Sequence, residues 1–263
     1  MGIIQNHAKE KLEAGELAIG LGIRQTRTVD IAKIAKVSGY DWLMVDMEHG
    51  TMDVDITTEI CTAALDVGIT PLVRTPGHES FHISRVLDGG AMGVVVPHVD
   101  TVEQAQRMVD ACKYPPMGHR SIAGVLPQLE YQPILSRETI DLLNENMLIV
   151  AMLETPQAIE SAEAIAAVDG IDVLHIGTND LMTEMGIPGR FEHERVAAAY
   201  ETTVAAAGKY GKHTGMGGIS DEELARKFIQ MGVRFVTGAL EVSLLIQAAR
   251  KRAVVLRAIP LTS

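Results

Sequence analysis

Aromatic residues make up only 4% of this 263-residue chain: one Trp, five Tyr and four Phe. A core must therefore be built from Val, Ile, Leu, Ala and Met, and there is little on which to stack nucleobases. Basic residues are also outnumbered, 23 Lys and Arg against 34 Asp and Glu, for a formal charge of −11. That balance argues against a nucleic-acid partner and against an anionic-membrane surface. The two cysteines, Cys61 and Cys112, lie in stretches of helical periodicity. They read as buried thiols of a reducing cytosol rather than as a disulfide. No apolar run approaches the roughly 20 residues of a membrane span, and "MGIIQNHAKEKLEAGE" has no basic stretch followed by an apolar one. A cytoplasmic globular protein is expected. At 47% hydrophobic, it can bury a sizeable core.

Three catalytic devices are missing as well. No lysine falls in a strand-like run, so an imine-forming aldolase lacks an evident nucleophile. No serine occupies a G-x-S-x-G elbow. No G-x-G-x-x-G follows the first apolar run, which weakens a Rossmann-like sheet.

What is present alternates. Short apolar, β-branched runs at 17–23, 42–48, 70–75, 93–99, 147–154, 173–180, 213–218 and 234–240 read as buried parallel strands. Amphipathic segments lie between them, one of them carried by Ile31, Ile34 and Ala35. Helix starts are signalled at Thr101, at Thr155-Pro156 and at Ser220, the last as a capping box. Eight β-then-α units predict a single α/β domain over 1–263, a (β/α)8 TIM barrel. The irregular stretch 113–146 follows the fourth strand and holds a helix near 136–145. It reads as a long excursion on the βα side, where loops of such length are usually functional, and is expected to shape a substrate pocket.

In a barrel, catalytic groups come from the C-terminal ends of the strands. Here those ends carry Asp46, Glu48 and His49 in "WLMVDMEHG", Arg74 in "VRTP", Glu154 in "LETP" and Asp180 in "GTNDL". Glu154 and Asp180 lie one βα unit apart, which puts them on neighbouring strands, on the order of 5 Å apart. Two carboxylates that close stay ionised together only with a cation between them, and oxygen ligands favour Mg²⁺ or Mn²⁺. Alternatively, Glu154 caps its helix and Asp180 pairs with an arginine. The pair taken together favours the metal. Arg74 suits a carboxylate or oxyanion better than a structural ion pair. His49, flanked by carboxylates and Gly50, suits a base near neutral pH. Asp88 reads as no more than a helix end before two glycines. The glycine-rich runs "GMGGIS" and "TGALEV" leave open a phosphate site at the seventh and eighth strands, and with it a phosphosugar enzyme. Neither brings a basic residue, so close packing is the better reading.

"DMEHG", "VRTP", "VVVPHVDTVEQA", "YPPMGHRS", "LETPQAIE" and "GTNDL" occur in that order across nearly the whole chain. As a set they resemble the HpcH/HpaI family of metal-dependent class II 2-oxo-acid aldolases. The resemblance implies reversible cleavage of a 4-hydroxy-2-oxo acid to pyruvate, or a related 2-oxo acid such as hydroxypyruvate, and an aldehyde. It implies Glu154 and Asp180 as ligands of a divalent cation (Mg²⁺ or Mn²⁺, with Co²⁺ or Zn²⁺ as alternatives) and His49 as proton acceptor. Arg74 would stabilise the enolate, Asp88 would hydrogen-bond His49, and backbone groups at Asn179 and Asp180 would receive the substrate carboxylate. It also implies a homo-oligomer, a hexamer built as a trimer of dimers, whose C-terminal helix (242–256) is exchanged between subunits. Two positions depart from the family pattern. Met152 stands where many members carry a Gln that touches the keto acid or a metal-bound water, and Thr178 stands where many carry Pro. The citryl and malyl-CoA lyases are related, but no segment to hold coenzyme A is evident.

Overall fold

Each of the eight predicted runs forms a strand in the computed structural model, which describes residues 3–134 and 136–261. In chain order the strands are β1 (Ala18–Ile23), β2 (Trp42–Asp46), β3 (Thr70–Arg74), β4 (Gly93–Val96), β5 (Leu148–Leu153), β6 (Val173–Gly177), β7 (His213–Gly217) and β8 (Val233–Leu240). Each pairs in parallel with the next and β8 closes onto β1, giving a (β/α)8 barrel without a free edge. The Rossmann-like alternative is excluded.

The helices are α1 (His7–Glu13), α2 (Asp30–Val37), α3 (Val54–Asp66), α4 (Ser80–Asp88), α5 (Val102–Cys112), α6 (Arg137–Asn146), α7 (Pro156–Glu160), α8 (Ala162–Ala166), α9 (Thr178–Glu184), α10 (Glu194–Lys209), α11 (Glu222–Met231) and α12 (Glu241–Arg257). Among the described residues no helix is long and apolar enough to cross a membrane.

Among the described residues only two aromatics, Trp42 and Phe235, lie inside the barrel, where aliphatic side chains and methionine do the rest. Trp42 stacks on Phe235 with ring centroids 4.0 Å apart. Gly20 makes the stack fit, since a Cβ there would lie 2.2 Å from the Trp42 ring. Met44, Leu72, Val95 and Val150 continue the interior, and Ala8 and Leu12 of α1 close its lower end. The second layer lies between strands and helices and contains both cysteines, each buried and unbonded.

Four expectations need correction. Ile34 is exposed although it shares the spacing of buried Ile31 and Ala35. The capping box belongs to Thr101 and Gln104, whereas α11 is capped by Asp221, not Ser220. β6 stops at Gly177, so Asp180 lies in the first turn of α9 rather than on the strand. The excursion after residue 113 follows α5, not β4 directly. It therefore leaves from the helix's C-terminus, at the lower end of the barrel, where Gln128 donates to the Leu87 and Ala91 carbonyls and Ile4 donates to the Gln128 carbonyl.

Candidate active site

Side chains that alternate inward along each strand place the last residues of β2 and β3 side by side, with Asp46 in register with Arg74. Asp46 is wholly buried and receives five donors. Arg74 Nε and Nη2 reach it at 3.0 and 2.6 Å, and Arg24 Nε, from the end of β1, at 3.1 Å. The backbone N–H groups of Glu48 and His49 donate at 3.1 and 3.2 Å. Burial alone would raise the Asp46 pKa, but the Arg74 guanidinium, the His49 N–H and the charge of Arg24 together reverse this and hold the carboxyl below the usual carboxylate range. Asp46 is thus the anchor of an arginine pair rather than a partner of His49.

Glu48 Oε2 forms an ion pair with the third nitrogen of that guanidinium, Arg74 Nη1, at 3.0 Å, without hydrogen-bond geometry. Its Oε2 is also 3.7 Å from His49 Nε2. His49 is half exposed, on the turn that Asp46 ties down. Gly50 is needed there, because a Cβ would stand 2.9 Å from the Asp46 carbonyl.

Glu154 is 1% exposed and sits just past β5. Its Oε2 accepts the His98 N–H at 2.9 Å. His98 reaches this position with φ 50°, a left-handed conformation uncommon outside glycine. The His98 imidazole lies 3.6 Å from Glu154 and 4.0 Å from Glu48. Burial, reinforced by the negative charges of Glu48 and Asp180 against the His98 N–H, pushes the Glu154 pKa up to about 7. Gly177 leaves the room this carboxyl needs; a Cβ there would meet Glu154 Oε1 at 2.5 Å.

The chemistry of this donor set fits a hard divalent cation. Among the described residues no arginine or lysine is bonded to the buried Glu154 carboxyl, and its charge is opposed by Glu48 and by Asp180. Among the described residues no three His, Cys, Asp or Glu side chains converge as a metal cluster. The protein's share would be two oxygen donors, the number typical where water and substrate complete the shell.

A cavity of about 730 Å³ opens at this end of the barrel, lined by His49, Arg74, Met152, Asn179 and Asp180. Met152 forms part of its floor. Thr178 is buried beside it and bonds the Gly217 carbonyl at 2.7 Å and the Tyr200 hydroxyl at 2.8 Å. The far wall is made by Thr237 to Gln247, from β8 and the start of α12. Among the described residues of this chain none of 113–134 lines it, contrary to the expectation for the excursion.

Asp88 is apart from the others within this chain. It ends α4 at the lower end of the barrel and accepts from Arg120 Nη2 at 2.6 Å; the described residues show no bond between it and His49. Three residues around the site escaped the sequence reading. Arg24 is a charged strand end like Arg74 and could have been found by the same rule. His98 lies inside the quoted "VVVPHVD". His175 points inward from β6, fully buried, and its signal was indirect. A Cβ at Gly215 or Gly217 would lie 2.3 or 2.7 Å from its ring, and Gly218 has φ 85° with a Cβ there 2.8 Å from Asn179, so the glycines of "GMGG" are explained by packing and backbone conformation without a phosphate.

Residues 25–248 match the family model described as HpcH/HpaI aldolase/citrate lyase. A 4-hydroxy-4-methyl-2-oxoglutarate aldolase from Hapsidospora irregularis is 40% identical over 217 residues, 82% of this chain and 80% of that one. A hydroxypyruvate/pyruvate aldolase from Cupriavidus necator is 36% identical over 259 residues, 97% of this chain and 94% of the other. Among solved structures, an HpcH/HpaI aldolase from Desulfitobacterium hafniense superimposes with a TM-score of 0.91 at 29% identity, covering 96% of this chain and 97% of that one.

Proposed function

The chain belongs to the HpcH/HpaI aldolase/citrate lyase family, and on that premise we propose that it reversibly cleaves a 4-hydroxy-2-oxo acid to pyruvate, or a related 2-oxo acid such as hydroxypyruvate, and an aldehyde or ketone. The observation that carries this reading is the convergence at one barrel mouth of a fixed guanidinium, Arg74, a histidine, His49, and the carboxylate pair Glu154 and Asp180, none of which core packing requires.

Glu154 and Asp180 would hold Mg²⁺ or Mn²⁺, which when bound polarises the substrate ketone as a Lewis acid. His49 takes the proton of the C4 hydroxyl. As the C3–C4 bond breaks, its electron pair passes toward the C2 oxygen and the C4 carbonyl forms. Arg74 stabilises the negative charge developing on the enolate oxygen; a preorganised donor of this kind contributes about 3–4 kcal/mol. Asp46 holds Nε and one N–H of Nη2, and Glu48 lies 3.0 Å from Nη1, so the guanidinium is fixed in place and the remaining N–H groups of Nη1 and Nη2 are the ones that can meet the enolate without reorganisation. Protonation of C3 then releases the 2-oxo acid. In the addition direction His49 removes the C3 proton. Asn179 and Asp180, at the start of α9, offer backbone N–H groups to the substrate carboxylate. Asp88 can serve His49 only from a second copy of the chain, in keeping with a homohexamer formed as a trimer of dimers. We place the enzyme in the cytoplasm, on its two thiols and its composition.

The test is coupled detection of pyruvate from a simple 4-hydroxy-2-oxo acid, on chelated protein and again with Mg²⁺ or Mn²⁺ restored, beside Glu154→Ala. Turnover should return with the metal in the wild type and remain at least 100-fold lower in the variant. Equal turnover in chelated and restored protein would overturn the metal assignment. No pyruvate in any arm would overturn the pyruvate assignment and direct attention to hydroxypyruvate.

A further inference from the structure

Arg24 closes β1, which lies diametrically across the eight-stranded barrel from β5. Its base is rigid. The N–H groups of Arg24 and Thr26 donate to Glu241 Oε1 at 2.9 and 3.0 Å, tying the loop after β1 to the start of α12. Its side chain is aimed by one bond, Nε to Asp46 Oδ2 at 3.1 Å. Arg74 spends both Nε and Nη2 on Asp46 and Nη1 on Glu48. Nη1 and Nη2 of Arg24 have no partner among the described residues, and the side chain lines the cavity at 26% exposure. Asp46 is shared by the two arginines and Glu48 also faces Arg74, so what sets Arg24 apart is its two terminal nitrogens, which remain open to the cavity. Deeper in the same cavity, on β8 in register with Gly20, Thr237 has a buried hydroxyl with no hydrogen-bond partner among the described residues. Gln247 of α12 completes this polar corner.

A substrate whose 2-oxo acid end rests against Asn179, Asp180 and Glu154, on the β5–β6 side, runs its C4 end across the mouth toward β1 and β8. We infer that Arg24 determines specificity by receiving a carboxylate on the acceptor half of the aldol, so that the preferred substrates are 4-hydroxy-2-oxo diacids rather than 4-hydroxy-2-oxo acids with an uncharged end. The inference rests on the aldolase reading above. A planar fork with two unspent donors matches a carboxylate bidentately, and such charge-assisted pairs are the strong ones.

Two substrates that differ only at C5 test it: 4-hydroxy-2-oxoglutarate, with a carboxylate there, and 4-hydroxy-2-oxovalerate, with a methyl group. Pyruvate release is followed for wild type, Arg24→Met and Arg24→Lys, each with both substrates on one preparation. The ratio of the two kcat/KM values is then independent of how much of a variant is folded. Arg24→Met should lose about 10- to 100-fold more on the diacid than on the monoacid, mostly in KM. Arg24→Lys should recover part of the loss. Equal losses on both substrates would show that Arg24 only positions Asp46 and Arg74, and no loss on either would show that the carboxylate binds elsewhere; each overturns the inference and leaves the aldolase reading intact. Wild-type protein that releases pyruvate from neither substrate would overturn both.

Discussion

His175 projects inward from β6 at the level of Gly215 and Gly217 on β7, and imidazole and glycines fit together, since a methyl at either glycine would overlap the ring. Its Nδ1 is buried without a partner, and burial, aided by the charge of Arg74, drops its pKa to about 3 from an ordinary 6.5. Between those values the unfolded chain binds a proton here that the folded chain refuses. Stability is therefore full above about pH 6.5 and falls with pH at about 1.4 kcal/mol per unit below it. In denaturant melts at pH 7.5 and 4.5, the wild type should lose about 2–3 kcal/mol more than His175→Phe over the same interval. Parallel losses would mean that the imidazole charges inside the folded barrel. At this scale the sequence was readable where a polar group interrupts an apolar strand end, as at Arg74, Glu154 and His49. It was not readable where the role depends on a neighbour from another strand. Asp46 stands beside His49 in the chain, yet its side chain belongs to Arg74 and Arg24, and only the register between β1, β2 and β3 shows it.

Thr178 shows how one hydroxyl can set an element. It opens α9, whose first turn carries Asn179 and Asp180, and it fastens that turn to the Gly217 carbonyl and to Tyr200 of α10. A proline at the first helical position would start the helix equally well but could make neither bond. Thr178→Val keeps the shape and removes both; it should cost about 1–3 kcal/mol, because buried polar partners are left behind, and should lower pyruvate release by letting Asp180 shift. An unchanged denaturation midpoint would mean that α9 is held by its apolar side, Leu181 and Met182, alone. Periodicity located all eight strands because parallel strands buried on both faces read as continuous apolar runs. It misplaced the excursion after residue 113 because periodicity carries no sense of direction. The segment follows a helix, α5, and so belongs to the opposite end of the barrel from the catalytic loops. The same limit affected α11, where Asp221 rather than Ser220 accepts from the third helical N–H.

At the scale of the molecule, α12 does not fit a solitary barrel. None of the residues Glu241–Arg257 is buried, and Leu245, Ile246, Val254 and Val255 are all more than half exposed. A 17-residue helix with apolar groups on several sides meets the barrel chiefly through β1 and β8, so its outer faces call for a partner of the same apolar character. A second copy of this chain would supply one, as the helix exchange implied by the family resemblance requires, and with a net charge of −11 apolar burial rather than charge would be the attractive force between copies. Val254→Glu with Val255→Glu should then reduce the particle mass in light scattering by at least half. High salt should not restore it, since screening acts on charge and not on apolar contact. Ser243, Leu244 and Gln247 of the same helix line the cavity, so dissociation should also weaken catalysis in a concentration-dependent way, with specific activity recovering as the variant is concentrated. A variant of unchanged mass and full activity would mean that α12 is covered by its own barrel in solution, and that the cavity wall is complete within one chain.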